Sequence, residues 1–462
     1  MADRLTKTRL AWQRFATEVI VERRRLGKKA WKSQFDRLRR DVVRYRDALD
    51  RIGAGSDETR VDPRELLVWA WCVLMAMPEN SAQLYAAIRE GPGENALGGL
   101  MTRLRRRGYA FEGLDTSPEM QIRWLASLVR AVDADLTGIN YWEATDGRVR
   151  TDSWQVPGYP VFIIPVERPY RLEDGKERER RSTRYHALVP AALGDLAVDL
   201  ILHPEVTRGS SRPPWIYGAA TFPEMTIAIE DVGSDGFIVS AAAAPDSSAT
   251  LEEQVREAVL GGCDVLLWPE LTIDEERLAA IRRLLADDPL ARQSRVPLIV
   301  PGSWHVREGD GWVNRSLLLA SRGQCLGTYD KRRQFPFAGK REAIVPGQKL
   351  PIVVMQDRLV GLAICRDFCD DCAHDVYADL GVDLVLVPSM GEASSVKAHE
   401  RSCKALQSQQ GAVSFVVQQT PVLTGNSLPS GEARAYSFAR PSAAKPLPAE
   451  QFTKFRHLSA RR

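Results

Sequence analysis

The chain has 462 residues, 44% hydrophobic and 27% charged, and 63 Lys+Arg against 60 Asp+Glu leave a net charge of +3. This is the composition of an ordinary globular protein with length for two or three domains, and so small a charge names no partner by itself. The distribution is less even: residues 1–60 hold 17 Lys+Arg and 9 Asp+Glu, a local +8, so the remainder sums to 3 − 8 = −5.

The opening segment MADRLTKTRLAWQRF lacks the apolar core of a signal peptide. Trp31, Phe35, Leu38, Val42, Tyr45 and Leu49 recur at spacings of 4, 3, 4, 3 and 4, which predicts a helix with one apolar stripe and arginines on its outer faces. A second helix is expected from Pro63, because proline is favoured in a first turn. It carries LLVWAWCVLMAM, Leu66 to Met77, an apolar run of 12 residues that suits a core helix and is too short to span a bilayer. GPGENALGG at 91–99 reads as a loop rather than a phosphate cradle, since no strand precedes it, and RLRRRGY at 103–109 adds a basic patch before a turn. The basic region is expected to be a solvated face packed on its own domain, with an acidic partner, nucleic acid or protein, as the alternative. No base-reading module is recognisable in it. Seven cysteines without a secretion signal fit reduced thiols, so a cytoplasmic protein without membrane contact is expected.

Residues 150–235 mix a strand, YPVFIIPVERPY, with a charged surface loop, RLEDGKERERRSTR. From about Asp235 strands and helices alternate: FIVSAAAAP, the amphipathic TLEEQVREAVLGG, DVLLWPEL, a helix through Arg283, VPLIVPGSW, RSLLLAS, PIVVMQ, LVGLAIC, VDLVLVPSM and AVSFVVQQT. That texture predicts a layered α/β domain. In such a fold chemistry gathers where strands end. Three ends carry ionisable groups: Glu270 after DVLLWP, Lys331 after LGTYD and Cys365 after VGLAI. Singly each reads as a solvated charge or a small core residue. Together, an acid, an amine and a thiol are the parts needed to activate a nucleophile and stabilise an oxyanion.

LVGLAICRDFCDDC (359–372) admits two other readings. Cys365, Cys369 and Cys372 are spaced C-x3-C-x2-C, as in radical enzymes that hold an iron–sulfur cluster. Only 462 − 372 = 90 residues follow, too few for a barrel of roughly 200. FCDD resembles the acidic hairpin of polymerases, but no separate acidic strand upstream accompanies it. Cys369 and Cys372 then read as loop or helix-start residues, with a transient metal or redox role as the alternative. The histidines (His186, His203, His305, His374, His399, His457) show no metal-ligand spacing, and PGSWHV lacks the flanking glycines of a serine nucleophile elbow. No metal and no cofactor are expected.

Over roughly residues 236–430 the sequence resembles the nitrilase, or carbon–nitrogen hydrolase, superfamily. DVLLWPEL resembles the segment with that family's catalytic glutamate, here Glu270, and GWVNRSLLL its aromatic–x–Asn pattern, here Asn314. GTYDKRRQFPF resembles its Tyr-x-Lys segment, giving Lys331, and KREAIVPGQKL the stretch with a second glutamate, Glu342, and a Pro-Gly, Pro346 and Gly347. GLAICRDFCDD resembles the nucleophile strand, with Cys365 followed by a basic residue and Asp367, and VDLVLVPSM the strand after it. The sequence departs from the family at SQQGAVSFVVQQT, where an Arg-Ala-x-Glu-Asn run is usual.

The resemblance implies a four-layer αββα sandwich, commonly paired as a homo-oligomer, that hydrolyses a non-peptide C–N bond, most often of an amide. It implies Cys365 as nucleophile, Glu270 as general base, Lys331 and the backbone N–H of Arg366 facing the oxyanion, Asn314 beside the substrate, and Glu342 holding Lys331 and the substrate nitrogen. The organisation expected is a basic, mostly helical region at 1–135, a mixed connecting region at 136–234, the nitrilase-like domain at 235–440 and a tail at 441–462. The competing expectation is an inactive or signalling scaffold. There the hydrolase-like domain senses or dimerises and the basic region binds nucleic acid or protein, a role in bacterial defence included.

Overall fold

The computed structural model describes residues 2–45, 61–86, 104, 117–138, 154–166, 183, 185–203, 215–222, 224–287, 296–355, 357–424, 426, 435–440, 447–448 and 452–456. The glycine-rich 91–99 stretch, most of the 103–109 and 171–184 segments, Leu49 and His457 lie outside the described residues. The chain divides into two compact units, Met1–Leu196 with Asp379–Gly381, and Ala197–Ala378 with Val382–Arg462. Residues of the 136–234 stretch therefore contribute strands to both.

The first unit is helical: α1 (Ala2–Ile20), α2 (Lys28–Tyr45), α3 (Pro63–Met75), α4 (Glu79–Ala86) and α5 (Pro118–Asp135), with a hairpin of Val161–Pro165 on His186–Pro190. The stripe on α2 is buried at Trp31, Phe35, Leu38 and Val42. Asp62 caps α3 through a reciprocal box with Glu65, with Pro63 in the first turn, where its missing N–H costs nothing. From Leu66 to Leu74 every side chain of α3 is buried, so this helix is the centre of its unit. Trp12 stacks on Trp69 at 5.4 Å, and Trp12 Nε1 donates to Asp41 at 3.0 Å. Much of the basic character is answered locally. Arg9 pairs with Glu65, Arg24 with Glu18 and Lys32 with Asp36, while Arg37 lies 4.5 Å over the Trp12 ring beside Asp41.

The second unit is built on two facing sheets. One runs in the order Leu447–Pro448, Ala435–Arg440, Val413–Gln419, Leu384–Met390, Leu359–Leu362, Lys349–Val354 and Leu196–Leu202. The other runs Trp304–Glu308, Gly311–Leu319, Leu298–Val300, Val265–Leu267, Ile216–Ala220 and Phe452–Arg456, with Cys325–Asp330 also on Gly311–Leu319. Their inner faces meet through contacts such as Tyr217 against Phe415, ring centres 5.1 Å apart. Helices α6 (Ser247–Leu260) and α7 (Glu275–Asp287) cover the outside of the second sheet, burying Leu251, Val255, Ile281 and Leu285 with Leu266 and Ile299. Helices α8 (Arg366–Cys369), α9 (Asp375–Leu380) and α10 (Ala393–Gln410) belong to the outer side of the first, where α10 packs on Val413–Gln419 and on α8. This is a four-layer αββα sandwich. A smaller sheet holds Pro336–Phe337, Lys340–Glu342, Gly236–Ala243, Thr226–Val232 and Val422–Leu423.

The central strands are parallel and buried on both faces, which is why they read as unbroken Val/Leu/Ile runs. Parallel order also brings the carboxyl ends of Val265–Leu267, Leu359–Leu362 and Leu384–Met390 into the region where Glu270, Cys365 and Met390 gather. Among the described residues no helix is long and apolar enough to cross a membrane.

Candidate active site

Glu270 follows its strand on a sharply constrained loop. Trp268 is anchored by its Nε1 on Gln254 at 2.8 Å, and Leu271 takes a left-handed φ of 54°. Gly302, also left-handed, presses against this loop so closely that a Cβ there would lie 2.0 Å from the Pro269 carbonyl, which no other residue permits. Gly347 does the same for the next strand: a Cβ would meet the Asp330 carbonyl at 2.1 Å, while its N–H donates to Lys331 O. Both glycines fix the backbone that carries a charged side chain inward.

Glu270, Asn314, Lys331, Glu342 and Cys365 are each at most 2% exposed. Lys331 Nζ donates to Glu270 Oε1 at 2.7 Å and to Glu342 Oε2 at 2.6 Å. Asn314 Nδ2 donates to the same Glu270 oxygen and to Glu342 Oε1, both at 2.9 Å. Its amide donors therefore hold the two carboxylates, not a substrate, and its Oδ1 is buried without a partner among the described residues. Phe335 N–H adds a bond to Glu342 Oε2 at 3.0 Å. His305 Nδ1 accepts from Val239 N–H at 2.9 Å, which leaves its Nε2 to donate to Glu342 Oε1 at 3.0 Å.

The electrostatics separate the two acids. Glu342, against burial, is held down at about 2 by Lys331 and by its bond from His305. Glu270 is raised well above its ordinary value by burial and by the Cys365 sulfur, despite Lys331. Burial alone lowers the Lys331 pKa, but the two carboxylates override it and raise the ammonium well above its ordinary range. A proton-accepting carboxylate thus sits beside a permanent cation.

Cys365 occupies a turn between Leu359–Leu362 and α8, with φ 46° and ψ −104°, a conformation rare for any residue but glycine. Its N–H is tied to Pro388 O at 2.9 Å and its Sγ donates to Met390 O at 3.4 Å. Met390 N–H donates to Glu270 Oε2 at 3.0 Å, so thiol and carboxylate are gripped by one residue's two peptide groups. A hydrogen bond with Cys369 and burial hold the Cys365 thiol up at about 12, so it rests protonated. Among the described residues the Arg366 N–H meets no acceptor, whereas its side chain is committed to Asp370 at 2.9–3.0 Å and to Gln334 O at 2.7 Å. Asp367 braces the segment after Lys331, accepting from Tyr329 OH at 2.7 Å and from Arg333 N–H at 2.9 Å.

Two histidines that sequence spacing left unassigned stand at this site. His305 supports Glu342. His399, fully buried on α10, has a ring nitrogen within 4.8 Å of both the Cys365 and Cys369 sulfurs. Cys372 is exposed and is not part of that group. A separate cavity of about 400 Å³, lined by Phe237, Phe337, Lys340 and Asn426, includes none of the five buried residues.

No family model and no curated protein matches the chain. Among solved structures, a cysteine variant of the nitrilase-superfamily amidase from Nesterenkonia AN1 is similar at 18% identity, over 49% of this chain and 85% of that one, with a TM-score of 0.36. A cysteine variant of the same amidase in complex with butyramide is 20% identical over 51% and 86%, TM-score 0.35. A glutamate variant carrying the acetamide moiety of fluoroacetamide on its active-site cysteine is 18% identical over 55% and 93%, TM-score 0.37. Over about half its length the chain is similar to solved amidases of the nitrilase superfamily, and its helical N-terminal region lies outside that similarity.

Proposed function

We propose that the second unit hydrolyses a non-peptide carbon–nitrogen bond, the amide of a small molecule, through a thioester on Cys365. The observation that carries this reading is the grip of Met390 on both Cys365 and Glu270, with Lys331 buried against the same carboxylate. On attack, Sγ bonds to the amide carbon while Glu270 takes the thiol proton. The resulting oxyanion faces the Lys331 ammonium and the free Arg366 N–H, and loss of one such donor typically costs about 10²–10³ in kcat. Collapse expels the amine with the proton from Glu270 and leaves the thioester. Water then loses a proton to Glu270, adds to the thioester carbon and releases the acid, and the proton returns to Cys365. Glu342, His305 and Asn314 keep Lys331 and Glu270 in place throughout.

The test is incubation of the full chain with a panel of aliphatic amides, following ammonia release and the intact mass. Turnover with a transient acyl mass on the peptide containing Cys365, lost in Cys365→Ser and Lys331→Met, is the expected result. If no amide acylates the protein, and Cys365 reacts with iodoacetamide no faster than Cys325 or Cys372, the reading fails.

A further inference from the structure

Beside the nucleophile the structure places two side chains, Cys369 and His399, that amide hydrolysis leaves unused. Cys365 and Cys369 lie one turn apart across α8, and His399 reaches them from α10, its ring stacked on Phe368 at 6.3 Å. One ligand-capable atom from each residue lies within 4.8 Å of the others.

The hydrogen bonds around His399 fix which nitrogen faces the sulfurs. Gln418 Nε2 donates to the carbonyls of Gly391 and Glu392, at 3.0 and 2.9 Å, so its Oε1 is turned the other way as an acceptor. Ser389 Oγ lies 3.4 Å from that Oε1 and Ser395 Oγ 3.1 Å, the latter also donating to Glu392 O at 2.7 Å. Ser389 Oγ is hydrogen-bonded to His399 Nε2 at 2.9 Å, the shorter of its two contacts, which holds the ring with Nδ1 on the opposite side. Nδ1 is left to face the two sulfurs; it is buried, meets no other polar partner among the described residues, and interacts with the Cys365 thiol. The ring's other nitrogen is oriented by a hydroxyl and a glutamine behind it, the arrangement that supports metal-ligating histidines.

We propose that Cys365, Cys369 and His399 bind a thiophilic divalent cation of the zinc type, with water or a substrate group completing the set. Two thiolates and one imidazole with an open position are a recognised zinc donor set, and soft sulfur ligands select against magnesium and calcium. Zinc–sulfur and zinc–nitrogen bonds of about 2.3 and 2.0 Å require ligand atoms roughly 3.5–3.8 Å apart, so the cluster needs to contract by about 1 Å. Cys369, only partly buried at the end of the single turn of α8, is the ligand placed to make that adjustment. Both thiols give up their protons to solvent on binding. The cation would share Cys365 with the proposed hydrolase, so an occupied site masks the nucleophile. The site itself does not depend on hydrolysis taking place.

The full chain, reduced and freed of metal, is titrated with Co²⁺ and then with Zn²⁺. One Co²⁺ per chain with thiolate-to-cobalt charge-transfer absorption, displaced by Zn²⁺, is expected, and it disappears in Cys369→Ser and in His399→Gln. Independently of any variant, Zn²⁺ at about 100 times its Kd lowers iodoacetamide labelling of Cys365 by about 100-fold, read by peptide mass. Absence of stoichiometric binding, or an unchanged cobalt spectrum in Cys369→Ser, overturns the proposal. Lys331→Met separates the two readings: it abolishes hydrolysis and leaves the cobalt spectrum intact.

Discussion

Glu270 and Glu342 share one ammonium, yet their affinities for protons are pushed in opposite directions. The difference lies in their other neighbours. Both accept from Lys331 and Asn314, but Glu342 also receives His305 and the Phe335 N–H, while Glu270 receives the Met390 N–H and has the sulfur of Cys365 on its open side. With Lys331 charged and both acids ionised, the buried cluster carries a net negative charge that desolvation penalises. Glu270→Gln removes the less compensated charge and keeps the shape. It is expected to lower kcat/KM by at least about 10²-fold, as loss of a general base does, while raising Tm at pH 7. A fall in both would mean that Glu270 is held for structure. Arg366 gives a second test, since its backbone is assigned to the oxyanion and its side chain to Asp370. Arg366→Ala is expected to cost less than about tenfold in kcat, or about 1.4 kcal/mol, and Lys331→Met far more. Similar losses for the two would move the oxyanion donor to the guanidinium.

At the scale of elements, a strand in the middle of the first sheet ends in two polar residues whose purpose is visible only in three dimensions. Val413–Gln419 is buried along its whole length, between Leu384–Met390 and Ala435–Arg440. Gln419 accepts from Phe222 N–H at 3.0 Å and donates to Phe222 O at 2.8 Å, pairing a peptide 197 residues away. Gln419→Leu leaves both of those groups unpaired in the interior. At about 1–3 kcal/mol for each buried group, a loss of about 3 kcal/mol is expected, read as a lower urea midpoint with faster hydrogen exchange at the Phe222 amide. An unchanged midpoint would show that water reaches the pair.

The same strand marks how far the sequence could be read. Glu270 and Cys365 were legible because each follows an apolar strand, Lys331 from the strand end LGTYD and its Tyr-x-Lys segment, and the stripe on α2 from its spacing. The Gln418–Ser389–His399 chain was not, because each link joins a different element and no local pattern encodes it. His305 was missed for a related reason: what it supports, Glu342, lies on a strand of a different sheet and meets it only in the folded domain.

For the molecule as a whole, the buried cluster shapes stability against pH. The Glu342 carboxyl lies at about 2, below its ordinary 4.5, so its contribution is fully present above 4.5 and is lost as pH falls towards 2. That depression corresponds to about 3 kcal/mol. Glu270, raised in the fold, acts with the opposite sign: its penalty is absent below its ordinary 4.5 and grows as pH climbs through the raised value. Wild type should therefore gain from Glu270 on mild acidification before Glu342 takes stability away. Glu342→Gln is expected to be clearly less stable than wild type at pH 6, with the gap closing as pH falls from 4.5 towards 2. Glu270→Gln should show the reverse, an advantage at pH 7 that shrinks towards pH 4.5. Thermal unfolding followed by circular dichroism for the three proteins across that range checks both slopes. Parallel curves would mean that neither carboxylate changes its proton affinity on folding, and the pairing of Lys331 with both would lose its energetic basis.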